Sequence, residues 1–158
     1  MFKRVENNIN LAQVENEISN YWDEIDAFQT SLNNRKNDKI FRFYDGPPFP
    51  TGSPHYGNLL AGVIKDIVPR YWTMRGYYVE RRFGWDVHGL PIEMEVQKNL
   101  NLEDPQQIDE YGIGKFNEAC RTQVQTNTEN WEKITRKIGR WVDFENDYKT
   151  MDIDFMES

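Results

Sequence analysis

The chain has 158 residues, of which 38% are apolar and 14% aromatic, enough for one globular domain with one core and too apolar for a disordered segment. Its net charge of −7 argues against a general nucleic-acid coat, because neutralising phosphates needs clustered Lys and Arg. No apolar run reaches membrane-spanning length, and Met1 to Arg4 precede acids and amides rather than a signal-peptide core, so we expect a cytoplasmic protein without a membrane partner.

A helix is predicted over residues 10–35, with Asn10 as its N-cap. Its apolar residues recur at spacings of three and four and form one stripe: Leu11, Val14, Ile18, Trp22, Ile25 and Phe28. Residues 33–38 are Asn, Arg, Lys and Asp, a composition typical of a surface turn. We therefore assign residues 1–38 to an N-terminal helical segment.

A strand, a helix and a second strand are predicted next. Residues 40–44 are typical of a buried strand, residues 45–53 of a turn, and residues 56–75 of a helix that Pro69 should bend. Gly76 suits the position after the helix, and residues 77–82 form the second strand. Such a unit implies a parallel sheet with a right-handed crossover. Two motifs, at residues 46–58 and 83–93, would then follow neighbouring strands at their carboxyl ends, where α/β sheets bind ligands.

The signals weaken after Leu90. Helices are predicted over residues 91–100, with Pro91 at the first position, and over residues 115–138. Residues 140–144 and 148–151 are candidate extended segments. Cys120 is the one cysteine, so it can form neither an internal disulfide nor a multi-thiolate zinc site, and we expect it in the core rather than as a nucleophile.

The start of the helix after the turn is a candidate phosphate site. Unpaired N–H groups and aligned peptide dipoles favour anions there, and His55 and Asn58 lie in this first turn. Gly57 has no side chain, so a flat ligand such as adenine can approach the backbone. His55 could instead only cap the helix, and Asn58 could be an ordinary first-turn residue.

The second motif offers a candidate site for an ammonium group. Asp86 follows Trp85 at a strand end, where its carboxylate could hold an amine or could be a satisfied turn residue. The carbonyls of Pro47 and Pro48 can accept from a substrate amino group, or the two prolines could simply stiffen the turn. Asp86 with His88 suggests a metal pair, but no third ligand has suitable spacing, and we predict no metal site in the chain.

These motifs resemble a known family. The run His55-Tyr56-Gly57-Asn58 is similar to the His-x-Gly-His signature of class I aminoacyl-tRNA synthetases. The block from Phe83 to Glu93 resembles the one that follows the second strand in isoleucyl-tRNA synthetases and differs from that of the valyl and leucyl relatives. The resemblance continues through residues 131–152 and covers most of the chain.

The resemblance implies an α/β fold: an incomplete Rossmann-like class I synthetase catalytic domain with a parallel βαβ core, over residues 39–158, preceded by the N-terminal helix. It implies that isoleucine is activated by ATP with Mg²⁺ and then passes to tRNA(Ile). His55 and Asn58 would be catalytic and, with Gly57, would bind ATP. The amino-acid site would contain Pro47, Asp86 and His88.

Two departures from the family limit these expectations. Asn58 replaces the second signature histidine, and its amide can donate to a phosphate but carries no charge. The Lys-Met-Ser-Lys-Ser loop, the editing domain and the anticodon-binding helices lie C-terminal to this region in the family. We therefore expect the N-terminal part of a longer synthetase, truncated before the editing insertion and inactive alone.

Three alternatives stay open. The first is a valyl or leucyl synthetase, and the second is a non-catalytic truncated module. The third is a small nucleotidylyltransferase, against which residues 85–93 and the long N-terminal helix argue.

Overall fold

The N-terminal helical segment is split in two. The structure, a computed structural model, describes residues 8–158, so the first seven residues of the predicted 1–38 segment lie outside it. Helix α1 (Leu11–Glu24) begins at Asn10, whose side chain accepts from the Gln13 amide at 3.3 Å, as predicted. The single helix over residues 10–35 is wrong, because Asp26 adopts a left-handed φ of 45° and α2 (Ala27–Asn33) starts after it.

The apolar stripe of α1 is largely uncovered. Leu11 is 69% exposed and Ile18 44%. Contact is made instead at the C-terminal half of the helix, where the Trp22 ring lies edge-on to Trp141 with 5.3 Å between centroids. A second attachment is the bond that Lys137 Nζ of the C-terminal half of the chain donates to Asn16 Oδ1.

The strand–helix–strand unit forms as predicted, with short strands. Strand β1 (Lys39–Ile40), helix α3 (Tyr56–Met74) and strand β2 (Tyr77–Tyr78) follow in order, and β1 pairs with β2 in parallel. The helix continues through Pro69, and Gly76, with φ of 87°, follows its end. The buried strand over residues 40–44 is wrong, since only two residues pair and Ile40 is 57% exposed.

The second predicted strand is also divided. The backbone of Tyr78 bonds to Phe41, whereas that of Arg81 bonds to Asp143. Because the pairing partner changes between Tyr78 and Arg81, a separate strand β3 (Arg82–Trp85) pairs in parallel with β4 (Asp143–Lys149). The two extended segments predicted over residues 140–144 and 148–151 contribute to this one strand. The motifs therefore do not follow neighbouring strands, since β1 and β3 belong to different pairs.

The core lies between the β3–β4 pair and the helices of the C-terminal half. Helices α4 (Leu90–Asn99) and α6 (Ile113–Lys137) supply core side chains, and Ile108 of α5 (Pro105–Tyr111) packs against them. A short helix α7 (Ile153–Met156) with no buried residue follows β4. Helices α5 and α7 were not predicted. The core side chains are Phe83, Trp85, Val87, Ile92, Val96, Phe116, Val124, Trp131, Val142 and Phe144.

Cys120 packs against this core, as expected from its position, and burial, with a smaller effect of Glu93, raises the pKa of its thiol. Across residues 8–158 we find no helix that combines the length and the apolar character needed to cross a membrane.

Candidate active site

The turn between β1 and α3 is held by three of its own carbonyl groups. The Gly46 carbonyl accepts from Lys65 Nζ of α3 at 2.7 Å, and the Pro48 carbonyl accepts from the Asp86 amide at 2.9 Å. The Gly52 carbonyl accepts from the indole Nε1 of Trp131 on α6 at 2.8 Å. Three elements distant in sequence thus fix a segment whose prolines supply no N–H donors of their own.

The base of this turn carries a buried ion cluster. Asp45 lies 2.6 Å from Lys65 Nζ and pairs through its other oxygen with the Arg140 guanidinium. The side chains of Asp45 and Arg140 are 9% and 7% exposed, so each charge is compensated by its partner rather than by water. The cluster ties the turn to α3 and to the segment before β4.

At the start of α3, His55 and Asn58 form a reciprocal cap. Nδ1 of His55 accepts from the Gly57 amide at 3.1 Å, and Oδ1 of Asn58 accepts from the His55 amide at 3.0 Å. His55 therefore does cap the helix. The cap occupies the Gly57 N–H, one of the first-turn N–H groups that were expected to bind an anion. Because Nδ1 is an acceptor, the neutral imidazole carries its proton on Nε2.

The cap leaves two side-chain donors for a ligand. Within residues 8–158, neither Nε2 of His55 nor Nδ2 of Asn58 has a hydrogen-bond partner, and the His55 side chain is exposed. The positive end of the α3 dipole lies at the same place. Any anion here would therefore be bound by these side chains and the helix dipole more than by free backbone amides.

Gly57 also serves the cap. A Cβ atom at this position would lie 3.0 Å from Cε1 and 3.1 Å from Nδ1 of the His55 ring. A larger residue would press on the imidazole in its capping position and shift it by a few tenths of an ångström, which adds a structural reason for glycine to the expected approach of adenine.

The second motif reaches the turn through Asp86. Its amide donates to the Pro48 carbonyl at 2.9 Å, which occupies one of the two lone pairs of that oxygen. The Pro47 carbonyl lies between the two bonded carbonyls of Gly46 and Pro48 and accepts no hydrogen bond from residues 8–158. The carbonyl of Pro47 and the carboxylate of Asp86 are therefore acceptors available at this junction.

Asp86 and His88 meet at a third residue, Thr150. Its hydroxyl lies 3.4 Å from Asp86 Oδ1 and 2.7 Å from His88 Nδ1. No motif surrounds Thr150 in the sequence, and its place in the candidate extended segment 148–151 is the one signal that could have indicated it. Among residues 8–158 no group of three His, Cys, Asp or Glu is clustered so as to hold a metal ion.

A cavity of about 220 Å³ lies behind the turn, between α3 and α6. It is lined by apolar side chains and by Asn58, Lys65 and Arg140. Two rings frame it, Phe83 and Trp131, both of which belong to the core. The start of α3 thus borders a small, mostly apolar space as well as open solvent.

Comparison with known proteins gives one matching family and many relatives. A family model described as tRNA synthetases class I (I, L, M and V) matches residues 17–158. An isoleucine–tRNA ligase of Chlamydia abortus is 55% identical over 148 residues, which is 94% of this chain and 14% of the relative. The cytoplasmic isoleucine–tRNA ligase of Arabidopsis thaliana is 54% identical over 91% of this chain and 12% of its own length.

A further relative covers the whole chain. The isoleucine–tRNA ligase of Treponema denticola is 49% identical over 158 residues, which is 14% of its length. The chain thus spans about a seventh of the curated relatives that it matches. Among solved structures, the LeuRS of Agrobacterium radiobacter in ternary complex with tRNA and LeuAMS has a TM-score of 0.66 at 19% identity. That match covers 89% of this chain and 16% of the other, and it supports the α/β fold.

Proposed function

Because this chain belongs to the class I tRNA synthetases, we propose that it is the N-terminal part of an enzyme that activates isoleucine with ATP and transfers it to tRNA(Ile). The isoleucine–tRNA ligases at 49–55% identity favour this substrate over valine or leucine. The carrying observation in the site is the bond from the Asp86 amide to the Pro48 carbonyl at 2.9 Å. It puts a carboxylate beside the turn that leads into the start of α3.

The phosphates of ATP would lie at the start of α3. In adenylate formation the isoleucine carboxylate attacks the α-phosphate and pyrophosphate leaves, so negative charge shifts onto the phosphates. Nε2–H of His55 and Nδ2–H of Asn58 can donate to that charge, and the reciprocal cap already fixes both side chains. Donors held in place before the reaction stabilise the transition state without reorganisation.

The amino group of isoleucine would lie between Asp86 and Pro47. A carboxylate and a free carbonyl are both acceptors, and an ammonium group offers three donors. His88, which shares the Thr150 hydroxyl with Asp86, would border the same site. With the amino group here and the phosphates at the start of α3, the isoleucine carboxylate would lie near the α-phosphate that it attacks. Such positioning of the reactants supplies a large part of catalysis for this type of reaction.

Mg²⁺ would enter with ATP, on its phosphates. Residues 8–158 contain no three-ligand cluster for a metal, so no residue of this chain is assigned to hold the ion. The part of the reaction that this chain contributes is the capped α3 start and the amino-group site, and we expect residues 1–158 alone to be inactive.

The test is pyrophosphate exchange by the full-length protein. We expect ATP–pyrophosphate exchange that depends on isoleucine, with valine and leucine far weaker at equal concentration. Asp86→Asn keeps the shape and removes the charge. KM for isoleucine should therefore rise by the factor that corresponds to about 1.5–3 kcal/mol of lost charge-assisted bonding, while KM for ATP stays unchanged. Asp109→Asn, an exposed carboxylate on α5, is the matched control.

Two results would contradict the proposal. Exchange driven equally by leucine or valine would remove isoleucine as the substrate. A wild-type KM for isoleucine in Asp86→Asn would move Asp86 to a structural role.

A further inference from the structure

Thr150 is buried next to the proposed amino-group site, although it belongs to neither of the two sequence motifs. It is 6% exposed and follows the end of β4, as Asp86 follows the end of β3. Its amide donates to the Trp85 carbonyl at 3.0 Å, which continues the parallel pairing by one residue. Thr150 and Asp86 are therefore held opposite each other by the backbone.

The hydroxyl of Thr150 has three polar neighbours. The Val87 amide donates to Oγ1 at 2.9 Å, His88 Nδ1 lies at 2.7 Å and Asp86 Oδ1 at 3.4 Å. A hydroxyl has one proton and two lone pairs. Because the amide uses one lone pair, the other two neighbours must share one lone pair and the one proton.

One assignment satisfies all of these groups. His88 Nδ1–H donates to Oγ1, and the Thr150 hydroxyl donates to the carboxylate of Asp86. The reverse assignment, in which the hydroxyl donates to His88, leaves Asp86 without a side-chain partner in residues 8–158. A buried network in which every group is paired is the more stable one.

We propose that Thr150 is a positioning residue for the amino acid, which holds the Asp86 carboxylate and the His88 ring in the orientation that receives the substrate ammonium group. This inference rests on the proposed function, because it assigns Thr150 to the Asp86 site. Oδ1 of Asp86 is taken by Thr150, so Oδ2 is the oxygen left to bind the substrate. Thr150 itself touches no substrate in this arrangement.

The test uses three substitutions in the full-length protein. Thr150→Val removes the hydroxyl at constant shape, Thr150→Ala removes it with room for a water, and Thr150→Ser keeps it. The matched control is Thr122→Val, at an exposed threonine of α6 whose hydroxyl donates only to the Glu118 carbonyl. KM values for isoleucine and for ATP are measured separately by pyrophosphate exchange.

We expect Thr150→Val and Thr150→Ala to raise KM for isoleucine roughly tenfold, the factor that loss of one hydrogen bond produces. KM for ATP and kcat should stay within about twofold of wild type, because the ammonium contact is the same in ground state and transition state. Thr150→Ser and Thr122→Val should match wild type. A general loss of folding would change both KM values or the amount of active enzyme, not isoleucine alone.

A double variant separates this inference from the proposed function. If Thr150 acts through Asp86, the pair Asp86→Asn with Thr150→Ala should bind isoleucine no more weakly than Asp86→Asn alone. If the two substitutions raised KM for isoleucine by the product of their separate factors, the positioning role would be overturned. A wild-type KM for isoleucine in Thr150→Ala would also overturn it. This second variant decides the question if Thr150→Val fails to fold. A wild-type KM for isoleucine in Asp86→Asn would instead overturn the assignment of the site on which the inference rests.

Discussion

His55 has two roles in the proposed mechanism, and substitution can separate them. Its Nδ1 caps α3 by accepting from the Gly57 amide at 3.1 Å, and its Nε2–H is proposed to donate to ATP. Removing a cap costs about 0.5–2 kcal/mol of stability. Removing one donor to developing charge costs about 3 kcal/mol of barrier, or roughly a hundredfold in rate. The first effect appears in unfolding and the second in catalysis.

The two variants are His55→Ser and His55→Ala in the full-length protein. Serine is a good N-cap, but its hydroxyl is too short to reach where Nε2 lies, whereas alanine loses both functions. Both should lower kcat for pyrophosphate exchange by about a hundredfold at saturating isoleucine, with KM for isoleucine unchanged. Only His55→Ala should lower the thermal midpoint of unfolding.

The opposite pattern would refute this account. If His55→Ser exchanged pyrophosphate at the wild-type rate and His55→Ala did not, the cap alone would explain the need for His55. If both variants were near wild type in rate, His55 would have no part in adenylation.

Further predictions concern packing, titration and reactivity. In Gly84→Ala the new Cβ would lie 2.1 Å from the Tyr148 ring, so the unfolding midpoint should fall by an equivalent of about 1–3 kcal/mol, while Gly114→Ala, with no atom within 4 Å, should cost nothing. Burial raises the pKa of Asp143, but hydrogen bonds from Asn146 and Glu145 outweigh it and hold that pKa below its ordinary value of 3.8. Its charge therefore stabilises the fold above that pH and ceases to do so as pH falls through the lower folded value, so Asp143→Asn should lower the midpoint at neutral pH by an amount that shrinks as pH falls below 3.8. Cys120, whose pKa is raised by burial, should react with iodoacetamide at pH 7 far more slowly in the folded protein than in urea, and equal rates would contradict its place against the core.

Local signals predicted several helix ends. Asn10 caps α1 and Gly76 follows α3 as expected, because each signal acts within one turn of the chain. Helix α5 carried a similar signal that was missed: Asp104 and Gln107 form a capping box around Pro105, a pattern visible in the sequence.

Strand predictions failed where pairing decides structure. Residues 77–82 have the composition of one strand, yet the chain changes partner between Tyr78 and Arg81. The helix break at Asp26 was also missed, because the apolar spacing continues through Ile25 and Phe28 although Asp26 has a left-handed backbone. Partner choice depends on residues far along the chain, which periodicity does not report.

The candidate site shows the same division between local and distant information. The capping pair His55 and Asn58 is local and was visible, whereas the groups that hold the turn are distant: Trp131 bonds to Gly52 from 79 residues away and Arg140 to Asp45 from 95. Motif residues therefore suggest the chemistry, but α6 and the segment before β4 help to set the geometry of the turn. A variant that removes the Trp131 indole N–H would disturb the turn without changing either motif, because the turn's prolines offer no backbone donors with which to replace the lost bond.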